Sequence, residues 1–149
     1  MRTFLLRNGK PLIKWGGLPD NTLYEGRIPD GYDLAVNPHS PYVIIDVDRH
    51  GNKDGFLNIP EYLKCELEST LHYQTKHNGM HYWFYYTGTK KLYNKASEHG
   101  IDLRTGNSED YNGGYVKWHP RNAFDIIDVM WQAKQSSKKL NKWLEDLFS

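Results

Sequence analysis

Tyr42-Val43-Ile44-Ile45-Asp46-Val47-Asp48 is the stretch on which the fold turns. It is a short, β-branched, continuously apolar run that ends in acids. That pattern predicts a central strand buried on both faces, with no solvated side along its length. Side chains alternate across a strand, so Asp46 and Asp48 share one face while Val43, Ile45 and Val47 fill the other.

Working outward, residues 8–41 are rich in Gly, Pro, Asn and Asp and read as loops around short elements, with a brief strand over 33–36. Downstream, 49–58 is polar and carries Gly51 and Gly55. A helix is expected next, capped by Asn58, with Glu61 in the capping-box position and Pro60 in the first turn. Ile59, Tyr62, Leu63 and Leu67 would form its apolar face. Strands are expected over 71–75 and 81–87, joined by a turn at His77-Asn78-Gly79; the tract Tyr82-Trp83-Phe84-Tyr85-Tyr86 is strongly β-favouring. Short strands over 101–104 and 114–118 flank a flexible loop over 105–113. Pro120 leads into helical sequence with Asn122 as cap and Asp125 in its first turn. Leu140, Trp143, Leu144 and Leu147 recur at helical spacing near the end. No repeat, low-complexity segment or linker interrupts the pattern. The expectation is one compact α+β domain over 1–149, with 121–149 as a C-terminal helical segment.

Composition bounds the chemistry. At 149 residues and 38% hydrophobic content the chain supports one real core. Eleven Tyr and five Trp serve as core material or as stacking surfaces for bases. The formal net charge of +1 argues against a protein that coats DNA through a global field, so any nucleic-acid contact has to come from a local patch. Cys65 stands alone, which excludes an internal disulfide and a zinc site of paired cysteines. The apolar run Phe4-Leu5-Leu6, broken by Arg7 and Lys10, is neither a signal peptide nor a membrane span, and a soluble cytoplasmic protein is expected.

Two carboxylates a few ångströms apart repel unless a positive charge lies between them, and Mg²⁺ or Mn²⁺ suits all-oxygen ligands. A strand end whose acids simply reach solvent, or pair with Arg and Lys, has the same appearance. An EF-hand is the rival motif, since Asp46, Asp48, His50, Gly51 and Asn52 imitate the start of its loop. Its twelfth position is Leu57 where a bidentate Glu is needed, and the preceding residues read as strand, so it is rejected. His81 opens the aromatic strand just after Gly79, which permits close approach of a backbone or a ligand. The histidine would serve as a phosphate contact or as a purely structural group. Asp102 supplies a third acid, the number a two-metal phosphoryl-transfer site calls for, and Arg104 on the same face suits a triphosphate or a surface pair with Asp102.

Taken in order, these motifs resemble the primase–polymerase domain of the archaeo-eukaryotic primase superfamily, in the bifunctional form common in phages and plasmids. Gly9-Lys10-Pro11-Leu12 with Trp15 looks like the family's opening, and Tyr32-Asp33-Leu34-Ala35-Val36 like its first strand. Val43-Ile44-Ile45-Asp46-Val47-Asp48 resembles its first acidic motif, Thr75 through Phe84 its second, and Gly100-Ile101-Asp102-Leu103-Arg104 its third. Gly113-Gly114-Tyr115-Val116, closing at His119-Pro120, is similar to the strand that follows. The likeness covers about 9–120. Asn78 stands where the family often has Gly, and Gly79 where many members have Ser.

The resemblance implies a small α/β unit packed beside an RRM-like unit, with the active site in the cleft between them. It implies that Asp46, Asp48 and Asp102 bind two Mg²⁺ or Mn²⁺ ions and that His81 contacts the incoming nucleotide, with Arg104, Lys76 and Gly79 as further nucleotide contacts. Lys90, Lys91, Lys95 and Lys117 are candidates for template phosphates. The implied activity is DNA priming or polymerisation from nucleoside triphosphates on a single-stranded DNA template, in replication of a phage or mobile element, beside a separately encoded helicase. Extension is a firmer expectation than primer initiation. The alternatives are a single-strand-binding or helicase-recruiting module, with Leu140, Trp143, Leu144 and Leu147 as its docking face, although packing on the parent domain is the preferred reading of those four residues, and a metal-dependent nuclease.

Overall fold

A computed structural model describes residues 1–106, 114–118 and 126–149. The expected loop over 105–113 falls mostly outside these residues, and the Gly113 turn position, His119-Pro120, Asn122 and Asp125 fall wholly outside them. The chain is a mixed α/β protein, rich in strands, with a C-terminal helix.

The strand predicted at the centre is central. β4 (Tyr42–Val47) pairs antiparallel with β8 (Met80–Tyr85) on one side and β9 (Ile101–Thr105) on the other. Along the far edge of β8 lie β7 (His72–Gln74), antiparallel, and β11 (Lys134–Gln135), parallel, completing a five-stranded sheet. A second, four-stranded antiparallel sheet has the order β10 (Val116–Lys117), β3 (Tyr32–Asn37), β1 (Arg2–Arg7), β2 (Lys10–Pro11). A small hairpin of β5 (Arg49–His50) and β6 (Lys53–Asp54) follows β4.

Alternation on β4 sorts the core into two halves. Val43, Ile45 and Val47 join Tyr82, Phe84, Ile101 and Leu103 in one apolar layer. It is covered by Leu63 and Leu67 around α1 (Lys64–Ser69) and by Leu140, Leu144 and Phe148 of α3 (Lys138–Phe148). Burying such side chains contributes roughly 1.5–3 kcal/mol each. Ile44 and Trp83 lie on the opposite face. They pack with Val36, Val116 and Trp118 from the four-stranded sheet and with Ile126, Val129 and Met130 of α2 (Ile126–Met130). This second core is sandwiched between the two sheets. A small outer cluster of Phe4, Leu6 and Ala35 covers the far side of the four-stranded sheet, where Trp15 stacks on Phe4 with ring centroids 5.4 Å apart.

Two points of the sequence reading are corrected. The helix after Asn58 is broken into 3₁₀ turns over Gly55–Asn58 and Glu61–Leu63 before α1 begins. Pro60 stays extended between them (φ −58°, ψ 139°), which restarts the chain where a continuous helix was expected. Asp54 caps the first turn by accepting from the Phe56 backbone N–H at 3.0 Å, while Asn58 donates to the His99 carbonyl at 3.0 Å. Ile59, Leu63 and Leu67 are buried as the apolar pattern requires, but Tyr62 faces solvent. Residues 2–7 form a full strand that the broken apolar run concealed. Arg7 and Lys10 flank its turn, Asn8-Gly9, where both residues have positive φ (51° and 76°), the hairpin conformation this pair favours. The last helix packs on its own domain, the preferred reading of its apolar face: Leu140 and Leu144 are fully buried on the molecule's own sheet, with Trp143 and Leu147 partly so.

Ser137 caps α3, its hydroxyl accepting from the Leu140 N–H. The neighbouring Ser136 hydroxyl donates to Asn141 Oδ1 and accepts from the Thr87 N–H at 3.0 Å, tying the helix start to the end of β8. Among the described residues no helix is long and apolar enough to cross a membrane.

Candidate active site

The candidate site is written in strand register. His81 on β8 lies opposite Asp46 on β4, and Asp46 lies opposite Asp102 on β9. Tyr73 on β7 lies opposite His81. Residues directly opposite on antiparallel strands project from one face at roughly 5 Å spacing. Tyr73, His81, Asp46 and Asp102 therefore form a single line across four strands, on the face that also carries Ile44 and Trp83 and turns toward the four-stranded sheet.

Asp48 lies one residue past β4 and is held by its backbone. Its N–H donates to the Gly100 carbonyl at 2.8 Å, and its carbonyl accepts from the Gly55 N–H at 2.9 Å. Both partners have to be glycine-small. A Cβ on Gly55 would lie 2.2 Å from the Gly100 carbonyl oxygen, and Gly100 itself takes φ +74°. Gly79 closes the 75–79 turn against the same strand end; a Cβ there would lie 2.4 Å from the Val47 carbonyl oxygen. The close approach expected at Gly79 is thus made by backbone.

One oxygen from each of Asp46, Asp48 and Asp102 comes together within 4.8 Å. The electrostatic strain shows on Asp48, whose carboxyl is raised from 3.8 to about 6, first by burial and then by the charges of Asp46 and Asp102, with His50 opposing. The carboxylates differ in how far their lone pairs are engaged. Asp102 accepts from the Ser97 N–H at 3.0 Å and from the Arg104 guanidinium at 3.2 Å. Asp46 Oδ1 is buried and accepts no hydrogen bond. His81 Nε2 is 3.3 Å from it, close enough for an ion pair, but the ring N–H is not aligned on that oxygen. A buried acceptor left unmade is costly. A hard cation between the three carboxylates would engage this oxygen and cancel the repulsion, so the donor set fits Mg²⁺ or Mn²⁺.

His81 is 5% exposed. Its Nδ1 lies 3.2 Å from the Tyr73 hydroxyl, and that hydroxyl accepts from the Trp83 indole N–H at 2.9 Å. Trp118, from the four-stranded sheet, packs edge-on against both Tyr73 and Trp83. Burial raises the Tyr73 phenol well above its ordinary value.

The remaining candidates are dispersed. Lys76 is exposed on the 75–79 turn, and Lys90 is exposed beyond β8. Lys91 lies over the Tyr93 ring. Lys117 pairs with Asp33 at 3.1 Å, on the side of the four-stranded sheet that carries Ala35. Lys95 is the nearest to the acids along the backbone, since its N–H and carbonyl both bond Leu103, the residue after Asp102. Tyr73, Ser97 and Gly55 support the site without having been singled out from the sequence. Tyr73 was visible only as a strand residue, because the register that seats it beside His81 is a tertiary fact.

No model of a known protein family matches the chain, and no curated protein matches it.

Proposed function

We propose that this chain is a template-directed nucleotidyltransferase of the primase–polymerase kind, acting on nucleoside triphosphates and a single-stranded DNA template. The observation that carries the reading is the convergence of Asp46, Asp48 and Asp102 beside a buried histidine on one sheet face. In the reaction a 3′-hydroxyl attacks the α-phosphate of a nucleoside triphosphate and pyrophosphate leaves. Bound Mg²⁺ or Mn²⁺ supplies the Lewis acidity that activates the hydroxyl and neutralises the leaving group.

The protein's own part is placement. Asp46, Asp48 and Asp102 would hold the cations, with Asp102 oriented by Ser97 and Arg104. The Arg104 fork, partly exposed beside Asp102, would turn from that carboxylate to a triphosphate. His81 would donate to a phosphate oxygen from the floor of the site. The five-stranded sheet would play the RRM-like part, and the substrate would enter the cleft between it and the four-stranded sheet. Lys95 and the exposed lysines near it would meet template phosphates. Such a protein would work in the cytoplasm beside a separate helicase, in the replication of a phage or mobile element.

The test is incubation with Mn²⁺ or Mg²⁺, labelled nucleotides and single-stranded template, with and without a primer. Extension that disappears in Asp46→Ala plus Asp48→Ala supports the proposal. Extension that survives the double substitution refutes the site, degraded template points to a nuclease, and binding with neither product points to a binding module.

A further inference from the structure

The face of β7 and β8 turned away from the acids carries a second set of polar groups. His72 lies opposite Tyr82 and Gln74 opposite Met80, so all four project to the side away from Asp46. Together with Asn78, Glu68 of α1, Arg49 of β5 and Phe56, they line an open cavity of about 470 Å³. That size suits a small ligand.

Arg49 lies over the Phe56 ring, 4.2 Å from its centroid. Asp54 Oδ1 braces both residues, accepting from Arg49 Nε at 3.3 Å and from the Phe56 N–H at 3.0 Å. The Arg49 side chain is still 48% exposed, so one face of its guanidinium plane is left for a ligand. His72 Nδ1 lies 2.8 Å from the Thr70 carbonyl oxygen. A carbonyl only accepts, so Nδ1 carries the hydrogen and Nε2 of the neutral ring presents a lone pair. Gln74 Nε2 donates to Asn78 Oδ1 at 3.1 Å, which leaves a carbonyl on the first amide and an NH₂ on the second. Glu68 and Arg49 both act on the Tyr82 hydroxyl, with opposite sign.

These walls select a ligand class. A phosphate would meet the Glu68 charge and an arginine already paired with Asp54. A hydrocarbon would leave the amides and the imidazole without partners. Phe, Tyr and Trp side chains have flat faces but at most one polar group on the rim. A nucleobase has apolar faces and several donors and acceptors around its edge, and it stacks on aromatic rings and guanidinium planes alike.

We propose that this cavity is a base-binding site, in which an unpaired nucleobase stacks on the Arg49–Phe56 pair and bonds by its edge to His72, Gln74 and Asn78. The base arrives either within a single strand of DNA or as a free nucleotide. The site is on the reverse of the sheet from the acids and does not depend on the reaction proposed above. The loop that clamps Asp48 nonetheless supplies part of its wall, since Arg49 follows Asp48 and Phe56 follows Gly55.

The experiment is run in EDTA, so that cation-dependent binding at the acids is silent. Protein labelled with ¹⁵N is titrated with a short single-stranded DNA oligomer, with an abasic oligomer of the same length, and with deoxynucleoside monophosphates. The side-chain amide signals of Gln74 and Asn78, assigned by their loss in Gln74→Ala and Asn78→Gly, are followed. They are expected to shift with base-bearing probes and to stay in place with the abasic oligomer. Shifts with the monophosphates identify a free nucleotide as the source, and shifts with the oligomer alone identify a strand. Arg49→Ala and Arg49→Lys should each weaken binding about tenfold, the worth of one base stack, because lysine restores the charge but not the plane. The proposal is overturned if the abasic oligomer moves the same signals, if Arg49→Lys binds like the wild type, or if no probe moves them. If the Arg49 variants do not fold, the wild-type comparison of base-bearing and abasic probes still decides. A protein that binds bases here and extends no primer would refute the polymerase reading and leave this site standing.

Discussion

Replacing Asp48 with Asn keeps the shape of the side chain and removes a charge that the metal-free fold works against. The Asp48 carboxyl is raised from 3.8 to about 6 by burial and by the neighbouring acids. At about 1.36 kcal/mol per pH unit, that displacement would be worth roughly 3 kcal/mol for a fully enclosed group. Asp48 is only half-buried, and solvent screening reduces the figure to about 1 kcal/mol. The sign follows from linkage. The folded state holds the Asp48 proton more tightly than the unfolded chain does, so this contribution to stability is complete below about pH 4 and is lost as pH rises through about 6. Asp48→Asn should therefore melt about 2–4 °C higher than wild type in EDTA at pH 7.5 and at nearly the same temperature at pH 4. Divalent cation should reverse the order. At ten times its Kd, Mn²⁺ stabilises the wild type by about 1.4 kcal/mol, and it should do little for the variant. Thermal melts at the two pH values, with and without Mn²⁺, give the whole comparison. An Asp48→Asn protein that melts lower in EDTA, or a wild type indifferent to Mn²⁺ at pH 7.5, refutes the assignment of these acids to a cation site.

Two other substitutions examine what holds the site and its sheet. Gly55→Ala drives a methyl into the Gly100 carbonyl and should cost about 1–3 kcal/mol in denaturant melts while weakening the Mn²⁺-dependent rise, because the backbone clamp on Asp48 has to shift. Ser136→Ala leaves Asn141 Oδ1 and the Thr87 N–H without their shared hydroxyl and should cost about 1–3 kcal/mol by the same measurement, with the Mn²⁺ response intact.

What the sequence made legible was local and periodic. The 42–48 run, bounded and β-branched, could only be a buried strand, and its alternation already assigned Asp46 to one face and Val43, Ile45 and Val47 to the other. The acids and His81 were legible as short blocks for the same reason, since each sits on a strand whose own pattern is strong. Elements that depend on distant partners were hidden. β1 contains Arg2, which is tolerable in a buried strand only because Leu18, Asp20 and Asn37 satisfy its guanidinium, and none of them is a neighbour in sequence. The helix after Asn58 was misplaced because a capping-box pattern and a Pro60 restart compete for the same residues. Tyr73 and Gly55 were missed because their roles are set by register and by backbone approach, which local composition does not encode.

The cross-strand row also fixes which changes in chain length the molecule can absorb. Between β8 and β9 the chain runs through 86–100, and residues can be gained or lost early in it while Asp102 still arrives opposite Asp46, provided the Lys95 pairing with Leu103, the Ser97 bond to Asp102 and the Gly100 contact with Asp48 are kept. Loop closure entropy changes slowly with length, so such drift is cheap. A single residue added inside β9 ahead of Asp102 is a different event, because it turns the acid into the apolar layer beneath and lifts its neighbour into the cleft. Insertions and deletions are thus confined to the joints, and the strands behave as units whose internal count is frozen. A lineage of such molecules would keep its few short blocks in order and let the distances between them vary.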